Sequence, residues 1–235
     1  MKIVVKQDEI LSLEQQLLNY ISNINSNLND VDKLRDLFVW QGRAYKAFDS
    51  KYYSFILNEK RQILKLELLV KILDEVLYNY GNAQEMIQDT FKKAIELNNP
   101  SSLILVSRKR KSEASLVNLN VNDEEGILKN YEDKLLRVDF NNLVDVSEKL
   151  RVLHNSIMDN LNSIETIYQN IHESFNSKAG LEYQRLVTQY IKETKSKLDE
   201  NNNTLINNLL DTKKMYEDLY LNTKSSFNDN NTESA

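Results

Sequence analysis

Residues 10–38 read ILSLEQQLLNYISNINSNLNDVDKLRDLF, and apolar side chains recur in them every seven positions: Ile10, Leu17, Ile24, Val31 and Phe38. Leu13, Ile21, Leu28 and Leu34 widen that line into a stripe. Seven residues is close to two helical turns, so the stripe marks one face of a helix about 30 residues long. Helix is the only periodicity that fits.

The same design returns along the chain. A second series runs Ile56, Ile63, Val70 and Leu77, interleaved with Tyr52, Leu66, Leu73 and Tyr80, and continues through Ile87, Phe91 and Ala94, with Gln84 breaking the line. Leu143, Leu150, Ile157, Ile164 and Ile171 then match the first series at a displacement of 133, while Ile191, Leu198 and Leu205 match the second at 135. The two-residue difference places a small insertion near the second turn. Tandem duplication of a helical hairpin explains both registers together. The fourth helix is the weaker partner, because Asn201, Asn202 and Asn203 interrupt it and Thr212 takes a stripe position. Asn is a poor interior helix residue, so a bend or local softness is expected near 201–204.

Composition agrees. Four glycines and one proline in 235 residues leave few places for sharp turns, and therefore little scope for sheets. The fold class expected is all-α: two long antiparallel helical hairpins forming one four-helix bundle. Cysteine is absent, which excludes disulfides, thiolate nucleophiles and cysteine-ligated zinc. A net charge of −5 offers no broad basic surface for nucleic acid. No run approaches the roughly 20 apolar residues of a membrane-spanning helix. The opening MKIVVKQDEILSLEQQ meets Asp8 and Glu9 before a signal-peptide core can form, so any export is expected to proceed without a cleaved leader.

The chain divides into a first hairpin at 1–97, a connector at 98–136, a second hairpin at 137–226 and a disordered tail at 227–235. Pro100 stops the preceding helix. After it come SSLILVS, the basic run Arg108-Lys109-Arg110-Lys111 and SLVNLNV; the two β-prone runs could pair as a small β-hairpin. NDEEGILKNYEDKLL, at 122–136, reads as a short helix leading into the second unit despite Gly126.

The first hairpin turns at Trp40-Gln41-Gly42, followed by Ala44 and Phe48, a W-x-G-x-A-x-x-x-F pattern. The second turns at Phe175-Asn176-Ser177, followed by Ala179 and Tyr183. Aromatic, small residue, alanine and aromatic all align at the displacement of 135. Two helices meeting at a tight bend need a small residue where backbones crowd, and glycine best tolerates the angles there. Ala44 and Phe48 lie four apart on one helix face, and the only tryptophan is placed to wrap the bend and bury a large area.

This pattern resembles the WXG family, small helical-hairpin proteins handled by the type VII secretion systems of Gram-positive bacteria and mycobacteria, which usually pair into four-helix dimers. The openings KIVVKQDEILSL and RVDFNNLVDVSEKL also look like family openings. The resemblance covers about 1–97 with a full motif and about 137–226 with a degenerate one. It implies a non-enzymatic secretion substrate, or a secretion partner or adaptor that escorts a larger effector, with Trp40 and Gly42 as half of a recognition signal. The family's export signal, Y-x-x-x-D/E, follows the second helix of the hairpin. Here the match is Tyr45 to Asp49, at that helix's beginning, and Tyr216 and Tyr220 lack an acid four residues on. Export is therefore expected to use a partner's signal or a divergent one, or the chain stays inside as an adaptor.

The remaining features read as ordinary. His154 and His172 lie 18 residues apart on one helix, roughly 27 Å by helical rise, too far to share a metal. Carboxylates interleave with lysines, as in Glu59-Lys60-Arg61, which marks a solvated helix face. No phosphate loop, nucleophile elbow or metalloprotease motif is present, so no catalytic residue, metal or cofactor is nominated. Arg108 to Lys111 reads first as a solvated loop tip and second as a contact for an acidic partner or membrane surface. Because each hairpin alone exposes an apolar stripe, the two are expected to dock antiparallel within the chain and leave it monomeric. The runner-up reading is a cytosolic helical scaffold that binds a partner helix.

Overall fold

The computed structural model describes residues 4–79, 115–120 and 137–232. Four long helices carry them: α1 (Gln7–Lys33), α2 (Arg43–Asn79), α3 (Phe140–Asn170) and α4 (Lys178–Thr232). Four two-residue strands lie at their ends: β1 (Val4–Val5), β2 (Trp40–Gln41), β3 (Arg137–Val138) and β4 (Phe175–Asn176).

The first heptad stripe becomes the inner face of α1: Ile10, Leu17, Ile21, Ile24, Leu28 and Val31 are all buried. Acidic Asp8 and Glu9 in the first turn and Lys33 in the last complement the helix dipole. The helix tightens into a 3-10 turn at Leu34–Leu37, after which Phe38 is extended and the chain reverses. On α3 the stripe Leu143, Leu150, Ile157 and Ile164 is equally buried. Asp139 caps that helix, its carboxylate accepting the backbone N–H groups of Asn141 and Asn142 at 3.0 and 3.1 Å.

Inter-hairpin bonds fix the packing as antiparallel. Asn23 donates to Asn160 at 3.4 Å while Asn27 donates to Ser156 at 2.9 Å, so the α1 number rises as the α3 number falls. Likewise Tyr183 donates to the Leu69 carbonyl and Tyr190 to that of Gln62, both at 3.0 Å, which runs α4 against α2. The result is an all-α bundle in which two antiparallel hairpins pack against one another.

The ends of the bundle are fastened reciprocally. β3, the opening of the second hairpin, pairs antiparallel with β2, the turn of the first, in the register Trp40↔Val138 and Gln41↔Arg137. β1, the opening of the first, pairs with β4, the turn of the second, in the register Val5↔Phe175 and Val4↔Asn176. Flanking bonds repeat the relation: Asp139 N–H to the Val39 carbonyl at 3.0 Å, and Lys6 N–H to that of Ser174 at 2.9 Å. Each hairpin thus closes the other's corner. At the second corner the Ser174 hydroxyl, 2.7 Å from Glu9, and then Lys6 hold the Glu9 carboxyl below its ordinary value.

The core falls into two clusters. The larger holds Ile10–Leu28 of α1 with Ile63–Leu73, Ile157–Tyr168 and the second turn; the smaller gathers Val31, Trp40, Tyr52, Ile56, Leu150 and Leu209 around the first turn. Where they meet, buried polar groups face the seam: Glu59 and Lys60 on α2, His154 on α3 and Asn202 on α4.

Three expectations change. At 201–204 the helix is unbroken, and α4 runs through all three asparagines without interruption. Asn202 is 3% exposed and Asn201 donates to Glu59 at 3.2 Å, so tertiary bonds absorb the amides that propensity penalised. Helix α4 runs to Thr232, past the expected end near 226. In the connector, Ser115–Asn120 is irregular rather than a strand and lies against α1 and α2. The first β-prone run, the short helix at 122–136, the basic run Arg108, Lys109, Arg110 and Lys111, and the stripe residues from Tyr80 to Ala94 lie outside the described residues.

Candidate partner-docking end of the bundle

The first turn is built on one unusual backbone angle. Gly42 has φ 113°, a region that a β-carbon opposes, and its carbonyl accepts the Lys46 N–H at 3.2 Å to start α2. At the equivalent place in the second hairpin Ser177 starts α4, its hydroxyl accepting the Gly180 N–H at 2.9 Å. Gly42→Ala is expected to cost about 1–2 kcal/mol through left-handed strain. A urea-denaturation midpoint unchanged by the substitution would contradict that angle.

Trp40 is 3% exposed. Its ring centroid lies 5.5 Å from Tyr45, 5.4 Å from Phe48 and 6.3 Å from Tyr216, the last an edge-on contact from α4. Phe38 packs edge-on to Phe48 at 5.2 Å and to Tyr52 at 6.1 Å. The indole N–H is buried and meets no acceptor among the described residues. Tryptophan thus joins the corner of the first hairpin to the far end of the second.

Of the four motif residues, Ala44 does not join this group: it is exposed, and Tyr45 takes the inward place, 5% exposed. Helix α2 begins at Arg43, and from there positions 45, 48 and 52 share one face at helical spacing. In the second turn Phe175, Ser177, Ala179 and Tyr183 are all buried. There Gly180 stands where the first hairpin has Tyr45, and a β-carbon on it would come 2.2 Å from the Phe175 carbonyl oxygen. The second corner is therefore drawn tighter over its aromatic residue. Behind it Tyr168 and Tyr183 share a 2.9 Å hydroxyl contact, and burial pushes both phenols above their ordinary value.

Periodicity gave no warning of the ion pair beneath the Trp40 turn. Arg35 Nε and Nη2 each donate to Asp49 at 2.9 Å, with both residues 2% exposed and Asp32 a further 3.8 Å away. Tyr45 also donates, at 3.4 Å, to the Arg35 carbonyl. Both ends of the Tyr45-x-x-x-Asp49 match are consequently taken up inside the fold, and neither is presented for recognition.

Outside this corner the last stretch of α4 projects. Leu209 is its last buried apolar residue among those described, and beyond it Met215, Leu219, Tyr220 and Leu221 are each more than half exposed, at 72%, 55%, 58% and 59%. An open pocket of about 410 Å³ lies beside them, lined by Val39, Arg137, Asp139, Asn141 and Glu217. Apolar side chains on a protruding helix, next to a polar hollow, suit protein contact better than catalysis.

Among the described residues no group of acidic or histidine side chains is arranged to hold a metal ion, and no helix is long and apolar enough to cross a membrane. His154 instead faces Asp199 at 3.2 Å, and His172 caps the local carbonyl of Gln169 at 3.1 Å. No protein-family model, curated protein or solved structure matches the chain.

Proposed function

We propose that this chain is a non-enzymatic substrate or escort of a type VII secretion system, of tandem WXG type, in which one chain does what two family members do as a dimer. The observation that carries the reading is the meeting of Trp40 in the first corner with Tyr216 on the projecting end of α4. The buried Trp40 corner seats the α4 tail through Tyr216, so the exposed apolar strip beyond it is held in place only when the hairpins are paired. Folding state and recognition are thereby linked. The exposed residues Met215, Leu219 and Tyr220 are the natural contacts for the machinery or a co-secreted effector.

The test is export from a strain with an active type VII apparatus and co-expressed neighbouring genes, compared with the same strain lacking the membrane ATPase. Export is expected only in the first. Met215→Ser with Leu219→Ser, at exposed sites, is expected to abolish it while leaving the melting temperature within a few degrees. Retention in the cytosol of the active strain would overturn the reading. It would favour an adaptor that holds a partner helix along the same apolar strip.

A further inference from the structure

One stretch of the connector is pinned to the bundle. The segment Ser115–Asn120 bends at Leu116 and Val117 around a single buried carboxylate. Glu67 of α2, 0% exposed, accepts the Leu116 N–H at 2.9 Å, the Val117 N–H at 3.0 Å and the Ser115 hydroxyl at 2.8 Å. Lys71 meets the same carboxylate at 2.7 Å. Asn25 of α1 donates to the Leu116 carbonyl at 2.9 Å, and Lys60 of α2 to that of Asn120 at 2.8 Å. Val117, 3% exposed, enters the larger core cluster. A buried carboxylate is costly unless its lone pairs are met, so Glu67 and the segment hold one another. Every hydrogen bond from the segment to a described helix ends on α1 or α2, and therefore on the first hairpin.

That placement sets the length of chain on which the second hairpin hangs. Arg137 opens the second hairpin and pairs with Gln41 of the first. Unpinned, the tether between hairpins runs over residues 80–136; pinned at Asn120, it runs over residues 121–136. The shorter stretch still reaches. Fully extended it covers roughly 50 Å, against roughly 26 Å of helix rise from Arg43 to Lys60. Pairing within a chain competes with exchange of hairpins between two copies, which uses the same contacts, so the tether alone distinguishes the two. Effective concentration falls as about the −3/2 power of tether length, and the pin therefore raises it about sevenfold.

We propose that Glu67 and the segment it holds form a tether clamp: by anchoring the connector on the first hairpin they commit the second hairpin to its own chain, over exchange with a second copy. The clamp lies away from the Trp40 corner and stands whether or not the secretion reading does.

The test uses the full chain, whose lack of cysteine gives a clean background. Asn27 and Ser156 touch at 2.9 Å across the hairpins, so Asn27→Cys with Ser156→Cys places a reporter disulfide there. Protein is unfolded in urea with reductant, refolded over a series of concentrations into the high micromolar range, oxidised, and run on a non-reducing gel. A closed monomer carries the bond within one chain; an exchanged dimer carries it between two and migrates at twice the mass. Glu67→Gln in this background is expected to lower the concentration giving half dimer about sevenfold. Val117→Asp, which leaves α1 and α2 unaltered, is expected to do the same and decides the matter if Glu67→Gln fails to fold. Variants that keep wild-type helix content by circular dichroism and cross-link within the chain over the same range as wild type would overturn the proposal. Loss of helix in both variants would make the segment a structural strut, and would overturn it too.

Discussion

Asp49→Ala is expected to lower the unfolding free energy by about 3–5 kcal/mol, measured by urea denaturation at neutral pH. The partner it abandons, the Arg35 guanidinium, is 2% exposed, and the carboxylate of Asp32, at 3.8 Å, and the face of the Tyr53 ring, at 5.7 Å, are weaker substitutes for that bidentate bond. Removing one member of a buried pair costs far more than the pair contributes, because the surviving charge stays desolvated. The companion result follows from the same physics: Arg35→Met combined with Asp49→Leu is expected to regain most of the loss, since apolar residues of similar volume need no partners. A loss under about 1 kcal/mol from Asp49→Ala would mean that water reaches the pair after all. The pair also bears on function, for it ties the 3-10 turn before Trp40 to the first turns of α2. If the proposed secretion role holds and the Trp40 corner acts only through its shape, the apolar double variant is expected to be exported to the wild-type extent.

Why this pair escaped the sequence, while the helices did not, is a matter of range. The stripe from Ile10 to Val31 and its copy from Leu143 to Ile164 are local repetitions, and a helix needs nothing beyond the local pattern to place them on one face. The repeated register was legible for the same reason, and the antiparallel docking expected from it is what Asn23–Asn160 and Tyr190–Gln62 display. Arg35 and Asp49 meet across a reversal of the chain, and nothing in their spacing of 14 singles them out from other oppositely charged residues. At the corner itself the pattern named the right aromatic residues but not the inward one. Ala44 was read with Phe48 as one helix face, whereas the phase of α2 is set by where Gly42 releases it, and that phase turns Tyr45 to the core. The reciprocal strand pairs were equally out of reach. Two residues of β structure leave no periodicity, and their partners lie in the opposite hairpin. Asn201 and Asn202 show the converse error, in which a sound local penalty was overruled by bonds and burial contributed from outside the helix.

The same seam carries the second large effect. Glu59 was grouped with Lys60 and Arg61 as part of a solvated face, yet it is 2% exposed at the junction of the two core clusters. One oxygen accepts from Asn201 at 3.2 Å; the other has no partner among the described residues. Burial therefore raises its carboxyl to about 7, against the smaller opposing effect of the Asn201 bond. In the unfolded chain the group titrates near 4.3, so between about pH 4.5 and 7 the folded state binds the extra proton. Stability associated with Glu59 is thus fully present at the acid end of that window and falls as pH rises through it. The whole shift corresponds to roughly 3 kcal/mol by pH 8. Glu59→Gln keeps an acceptor for Asn201 and imitates the protonated acid at every pH. It is expected to gain about 2–3 kcal/mol over wild type at pH 8 and almost nothing at pH 4.5, read from paired denaturation curves. A gain of the same size at both pH values would trace the effect to packing and not to charge. The position invites comparison with its repeat: the second hairpin places Thr194 where the first has Glu59, a group that cannot ionise. An acid at this seam makes the folded bundle less stable as the proton leaves, because the charge that forms is buried, and the two hairpins become asymmetric in a way that solution pH can read.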